Sequence, residues 1–442
     1  MSSSKRKSTR TISVGALARV EGEGGLTIRM RDGHVEDVQL RIYEPPRFYE
    51  AFMRGRSALE APDITARICG ICPVAYQMSA VHAIEKIHGV TMPPSLRALR
   101  RLLYCGEWIE SHTLHIYLLH APDFLGFESA VAMAQAQPEY AKIVRRGLRL
   151  KKAGNSIVDL VGGRAIHPIN VRVGGFYRAP TIEQLQDLAE ELKWARDAAM
   201  ETVRWAASLE FPDFAGDYEF VALRHPDEYP MNEGRVVSSG SLDIAQEEYP
   251  QHFEEYQVPH SNALYSRRKS RDGHQGAYFV GPLARWNLNA DRATPLAREA
   301  ARQTGLALTS GNPYAGIVAR SLEVLLAVEE ALRIIGEYEP PARPSVPFEP
   351  AAGVGQAITE APRGILYHRY ETDASGMIRQ AVIIPPTSQN QLQMEHDLAR
   401  VAPQLVTLPN KQAALRAEHV IRNYDPCISC ATHFLTLKVE SR

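Results

Sequence analysis

Two stretches at opposite ends of the chain decide how it is read: Arg67-Ile-Cys69-Gly-Ile-Cys72-Pro73 and Asp425-Pro-Cys427-Ile-Ser-Cys430-Ala-Thr-His433. Each Cys-x-x-Cys turn brings two sulfurs to one side of the backbone, and two such turns supply four thiolates for a soft metal. Zinc, an iron–sulfur cluster, or nickel with iron all suit that set. A zinc ribbon separates its pairs by roughly 15–20 residues. Here nearly the whole chain intervenes, so a site shared by the pairs lies inside the fold. Two redox-active disulfides would need a thioredoxin-like βαβ pattern, which the sequence lacks. The remaining cysteine, Cys105, sits in the apolar helical run Leu102-Leu-Tyr-Cys105 and reads as a packing residue.

Around these pairs the chain has 442 residues, 45% of them hydrophobic and 23% charged, which is the composition of a globular protein able to bury a large core. Its formal net charge of −1, without long runs of one sign, gives no support to nucleic acid or an anionic membrane as a partner. No apolar run is long enough to span a membrane, and the polar, basic start through Arg10 reads as a disordered tail without a secretory signal. Few cysteines, odd in number, argue for reduced thiols and a cytoplasmic protein.

Alternation in Leu26–Met30 and Val35–Leu40, on either side of Asp32-Gly33, predicts a hairpin. A second is expected where Ile365–Tyr370 and Met377–Ile384 flank Asp373-Ala-Ser-Gly376. Between them, helical periodicity runs from Ser95 to His120, from Thr181 to Leu209 and over 314–338, with Thr181 and Gln184 spaced as a capping box. Residues 212–290, rich in Tyr, Pro, Asp and Gly, read as an irregular surface insertion. The proline-rich 340–347 reads as a linker or a wrapped extended segment. The expected architecture is α+β and helix-dominated: one large domain over 11–433, with a central helical bundle and β-hairpins at both ends.

The two cysteine signatures resemble those of the large, catalytic subunit of nickel–iron hydrogenases. Other stretches agree in order: Arg19-Val-Glu21-Gly, Arg47-Phe-Tyr-Glu50, Ser111-His-Thr-Leu-His115, Gly162-Gly-Arg-Ala-Ile-His167, Glu360-Ala-Pro-Arg363-Gly and Ile383-Ile-Pro-Pro-Thr387-Ser-Gln-Asn390. The resemblance implies that large-subunit fold and a nickel held by four thiolates. Cys69 and Cys427 would be terminal on nickel, and Cys72 and Cys430 would bridge to an iron carrying carbon monoxide and cyanide. Dihydrogen would split there into a hydride and a proton, with Glu21 the first proton acceptor; a carboxylate does this best when burial raises its pKa. Arg363 would lie over the metal pair, Asp425 would pair with it, and Pro386 and Thr387 would bind a cyanide. On its own residues, Asp425 also reads as a helix N-cap before Pro426. Glu50, the carbonyl of Ile383 and His433 would hold magnesium or another divalent ion.

Glu23 and Ser111 stand where many relatives carry other residues, so no role is carried over to Glu23 and no outer acid network through Ser111. Tyr76, where many relatives have histidine, and Pro45-Pro-Arg-Phe-Tyr-Glu50 look most like the cytoplasmic NAD(P)-linked branch, the sulfhydrogenases. His112, His115 and His167 read as packing histidines, with His115 and His167 expected to shape the path toward the electron-transfer partner. One cysteine left over cannot ligate a further cluster, and no Gly-x-Gly-x-x-Gly turn follows a strand. The expectation is therefore no iron–sulfur cluster or flavin in this chain, an obligate iron–sulfur small subunit, and a flavin- and NAD(P)-binding partner. Sulfur or polysulfide reduction is a second outlet, and a hydrogen-sensing protein of negligible turnover is the alternative reading. Residues 434–442 are expected to be a maturation peptide, removed by a protease after a nickel chaperone has loaded the site.

Overall fold

The computed structural model describes residues 9–269, 276–305 and 310–432. His433 and residues 434–442, to which a ligand role and a maturation role were assigned above, lie outside the described residues.

Periodicity of the long apolar stretches is realised as seven main helices: α1 (Pro73–Ile87), α2 (Pro94–Leu114), α3 (Pro138–Gly162), α4 (Ile182–Ala207), α5 (Gly316–Gly336), α6 (Pro386–Leu405) and α7 (Asn410–Arg422). α2 packs against α3 and α5, and α5 against α4, which makes the central bundle. Glycines let α3 approach α2 and the turn after it closely: a Cβ on Gly154 would stand 2.6 Å from the Glu110 amide nitrogen, and one on Gly147 would stand 2.4 Å from the Tyr117 ring. Thr181 caps α4 as expected, the Gln184 amide donating to its hydroxyl at 3.3 Å and its own amide donating to the Gln184 side chain at 2.9 Å. The helix expected to run to His120 instead changes pitch: α2 ends at Leu114 and a π-helical turn spans His115–His120.

An antiparallel sheet opens the chain, β1 (Thr9–Val14), β2 (Gly24–Arg31) and β3 (His34–Ile42). The β2–β3 turn is Asp32-Gly33, both with positive φ, as a tight hairpin of this length requires. The polar tail was expected to reach Arg10. β1 starts at Thr9 instead, because the Arg10 guanidinium donates to the Leu408 carbonyl (2.5 Å) and the Asn410 side chain (3.2 Å).

The segment 212–290, read as a surface insertion, differs most from expectation. It forms β4 (Val221–Arg224), β5 (Arg235–Ser238), β6 (Asp243–Ile244), β7 (Phe253–Gln257) and β8 (Leu264–Arg268). Val221, Leu223, Tyr249 and Tyr278 are buried in a second apolar cluster with Ile358, Ile365 and Tyr367. Those last residues belong to the closing sheet of β9 (Gly353–Ala361), β10 (Gly364–Thr372) and β11 (Ile378–Ile384). Short strands with few alternating residues gave the sequence little periodicity, but their aromatic side chains carry the burial. The proline-rich segment wraps the surface in extended form, with the Val346 amide donating to Gly174 O and the Phe176 amide to Pro344 O, both at 2.8 Å.

Candidate metal centre

Both cysteine pairs are buried, and one sulfur from each of Cys69, Cys72, Cys427 and Cys430 lies within 4.8 Å of all the others. Cys72 immediately precedes α1. The backbone N–H groups of Ile71 and Cys72 point at Cys69 Sγ, both at 3.3 Å, so that sulfur's negative charge is met before any metal binds. Cys69 and Cys427 sulfurs stand 3.5 Å apart, and those of Cys427 and Cys430 2.6 Å. Burial, together with the neighbouring sulfurs, pushes the Cys427 thiol well up. Four thiolates in this space need a cation to offset their repulsion.

Chain ends meet here. Glu21 and Cys427 form an isolated parallel bridge, with the Ile428 amide donating to Glu21 O at 2.9 Å. This places Cys427 Sγ 2.9 Å from Glu21 Oε2, which also accepts from the Ser429 amide at 3.1 Å. Ser429 in turn donates its hydroxyl to Glu44 Oε1 at 2.7 Å. Sequence reading found Glu21 and missed Ser429 and Glu44, because the hydroxyl step joins residues nearly the whole chain apart. Gly22 is required for the approach: its φ is +86° and a Cβ there would meet the Ser429 amide nitrogen at 2.8 Å. Glu23 is exposed. Arg47 ties both signatures together, donating to the carbonyls of Ile68 (2.8 Å) and Ser429.

Arg363 occupies the two-residue turn between β9 and β10. Its Nε donates to the Asp425 carbonyl at 2.6 Å and Nη2 to Asp425 Oδ1 at 3.2 Å. Nη1 is buried and has no protein acceptor. The other expectation for Asp425, a helix N-cap, is not met: it has a φ of 51° and no α-helix follows it among the described residues. Thr387, in the first turn of α6 beside Pro386, accepts the Cys427 amide at 2.9 Å, which leaves its hydroxyl proton to donate elsewhere. Four clustered sulfurs, an orphaned guanidinium N–H and a free hydroxyl proton are the donor set that a soft metal pair with anionic diatomic ligands needs.

The turn that carries Arg363 is held from beneath by a residue that no motif marks. Arg285, wholly buried, donates to the carbonyls of Ala361 (2.8 Å) and Pro362 (2.9 Å), to Glu360 Oε2 (2.9 Å) and to both Glu323 oxygens (2.7 Å each), and lies 4.4 Å over the Trp108 ring. Burial would raise Glu323, but Arg285 holds it at about 2. We expect Arg285→Leu to strand these carboxylates in the core and to cost roughly 3–5 kcal/mol. Chemical denaturation of the purified chain or complex checks this; an unchanged midpoint would contradict it.

At the second site, Glu50 Oε1 accepts the Ile383 amide at 2.7 Å. Burial pushes Glu50 up to about 7 and the Glu255 carboxyl well above its usual range, and Glu50 beside Glu255 raises it further. Two mutually repelling carboxyls fit a divalent cation. The sequence did not flag Glu255. Of the histidines, His112 Nε2 stands 2.9 Å from Glu323 and His167 Nδ1 is 2.6 Å from the Ala66 carbonyl, both as packing residues do. Tyr76 is buried with its hydroxyl unpartnered, its ring 5.7 Å from that of His368.

Comparison with known proteins agrees with this geometry. A family model described as nickel-dependent hydrogenase matches residues 47–146 and 242–433. The chain is 35% identical to sulfhydrogenase 1 subunit alpha of Pyrococcus furiosus, over 96% of this chain and 98% of that one. It is 34% identical to sulfhydrogenase 2 subunit alpha of the same organism, over 96% of this chain and 100% of that one. Among solved structures, an NAD+-reducing [NiFe]-hydrogenase in the H2-reduced state superposes with a TM-score of 0.84 at 27% identity, covering 97% of this chain and 100% of that chain.

Proposed function

The chain belongs to the nickel-dependent hydrogenase family as a catalytic large subunit, an oxidoreductase acting on hydrogen, and on that premise we propose that it works in the cytoplasm, passing electrons from H2 through partner subunits to NADP+ or NAD+. The observation that carries this reading is the four-sulfur cluster with Glu21 against Cys427 Sγ at 2.9 Å. Likeness to two sulfhydrogenase alpha subunits and to an NAD+-reducing enzyme supports the nicotinamide branch, with sulfur or polysulfide reduction as a second outlet. The few cysteines, odd in number, support a reducing compartment. No helix among the described residues is long and apolar enough to cross a membrane.

Cys69, Cys72, Cys427 and Cys430 would hold a nickel–iron pair, which supplies, when bound, the electrophilic redox centre that polarises dihydrogen. Glu21 Oε2, held by the Ser429 amide, takes the proton that arrives at Cys427 Sγ, and the neighbouring Ser429 hydroxyl, bonded to Glu44, is the next group outward. Arg363 Nη1 and the Thr387 hydroxyl would donate to cyanide ligands on the iron, with Pro386 beside them. Asp425 fixes the Arg363 fork. Glu50 and the Ile383 carbonyl would hold a magnesium or other divalent ion, with His433, outside the described residues, the further ligand we propose and Glu255 adding charge.

Electrons leave through an iron–sulfur small subunit and a flavin- and NAD(P)-binding partner. A maturation protease removes residues 434–442 once a chaperone has delivered nickel. Arg363→Lys should keep the charge but lose the fork. We expect at least a tenfold drop in turnover and a shift of the cyanide bands in the infrared; unshifted bands would contradict the contact. The branch is tested by H2-dependent reduction in the native complex. NAD(P)+ reduction is expected, whereas reduction of an artificial dye alone would keep the hydrogenase and remove the nicotinamide link.

A further inference from the structure

Glu107, on α2, is a wholly buried carboxyl that the reaction described so far does not use. Other acidic residues of the core pair with a cation: Glu85 with Arg100, Glu110 with Lys151, and Glu323 and Glu360 with Arg285. Among the described residues Glu107 has no arginine or lysine partner. Its oxygens face the start of α1 instead. Oε2 accepts the Val74 amide at 2.6 Å and Oε1 the Ala75 amide at 3.1 Å, with Oε2 also 3.3 Å from that second nitrogen.

A helix ordinarily satisfies its second or third amide from the side chain of the residue just before it. α1 has no such cap. The residue before it is Cys72, whose sulfur belongs to the four-sulfur cluster and makes no cap bond, and Pro73 at the first position has no N–H. Glu107 supplies the missing acceptor from a different helix. Burial, and then the Glu110 carboxyl one turn on, push Glu107 well above the usual carboxylate range. The acid form needs no cation, and its carbonyl oxygen still accepts the amides.

The next residue reaches the opposite wall of the site. Successive residues of a helix point about 100° apart, so Glu107 and Trp108 address different neighbours. Trp108 Nε1 donates to the Glu360 carbonyl at 3.0 Å, at the end of β9 that leads into the Arg363 turn. One turn back, the Tyr104 hydroxyl donates to Thr359 Oγ1 at 2.7 Å, and Ser79 Oγ of α1 stands 2.8 Å from the same oxygen. α2 thus holds both the helix that follows Cys72 and the strand that precedes Arg363.

We propose that Glu107 is a positioning residue for the metal centre: by holding the first turn of α1 from α2, it fixes where Cys72 Sγ stands relative to Arg363. The proposal rests on the reading of the four cysteines as ligands of the metal pair. Glu107 touches no metal and transfers no proton. It acts through the backbone between Cys72 and Ala75. A plain helix cap would change stability alone, whereas this one also places the sulfur assigned to bridge the two metals.

Glu107→Leu, Glu107→Gln and Glu110→Leu, each in the complex from its native host, separate the two roles. Leucine removes the acceptor, and glutamine keeps a carbonyl oxygen for the amides. In Glu107→Leu the metals should pass to a chelator at least tenfold faster than in the wild type, the scale on which partners behind a ligand act. Its carbonyl and cyanide bands should shift, and dye-linked H2 oxidation should fall about tenfold. Glu107→Gln should restore the band positions and most of the turnover. Glu110→Leu, which disturbs the same helix without breaking a bond to α1, should leave the bands in place. Wild-type bands and metal retention in Glu107→Leu, or shifted bands in either of the other two variants, would overturn the proposal. Where leucine prevents assembly, Glu107→Asp draws the acceptor back from α1 and should shift the bands; unshifted bands there would overturn it as well. A wild-type complex without such bands would sink the hydrogenase reading, while the rates of metal release would still judge the contact.

Discussion

Replacing Cys427 by serine should give a chain that folds but retains no stoichiometric nickel and loses H2-dependent dye reduction by well over a hundredfold. Losing an outer-shell partner of a metal typically costs about 10–100-fold, and this substitution removes a direct ligand. Serine keeps the volume of the side chain. Its hydroxyl stays protonated where a thiol ionises, and its hard oxygen does not suit a soft metal. The fold should survive, because Cys427 is held by its backbone, through the Thr387 hydroxyl and the Glu21 bridge, and the sulfur adds little apolar area. Metal analysis and circular dichroism of the same sample check this. Stoichiometric nickel in the variant would remove Cys427 from the ligand set.

Glu21→Gln is expected to separate binding of the metals from use of them. Glutamine still offers an oxygen to the Ser429 amide, 3.1 Å from the present carboxylate, so the turn around Gly22 is kept. What it cannot do is accept a proton from Cys427 Sγ. Turnover should fall about 10²–10⁴-fold, the span that a positioned acid–base group contributes. Nickel content and the infrared bands should match the wild type. Undiminished turnover in the variant would move the first proton acceptor elsewhere.

The parts of this molecule that were legible in the sequence are those written in local spacing. Asp32-Gly33 between alternating strands gave the first hairpin, and Thr181 with Gln184 gave the start of α4, because turn and cap chemistry depend on neighbours in sequence. The paired Cys-x-x-Cys turns announced a thiolate site for the same reason, and the motif resemblance picked out Arg363 and Glu21, which the structure brings to the sulfurs.

What stayed hidden is tertiary. Arg285 is a lone arginine in a Tyr- and Pro-rich stretch, and nothing near it signals that it holds the Ala361-Pro362 carbonyls. Ser429 and Glu44 become a pair only when the chain's ends meet. The π-helical turn at His115–His120 follows an unbroken helical pattern, and its change of pitch has no mark in residue type. Residues 212–290 failed for another reason: strands of two to five residues are too short to alternate visibly, and burial there is carried by tyrosines whose hydroxyls made the stretch look polar.

We propose that the four buried sulfurs hold a nickel–iron pair whose iron carries carbon monoxide and cyanide, framed by Arg363 and Thr387. Infrared spectroscopy of the complex from its native host, with nickel and iron quantified on the same sample, tests it most directly. One carbonyl band and two cyanide bands with stoichiometric nickel are expected. A fully matured complex without those bands, and with zinc on the four cysteines, would contradict it.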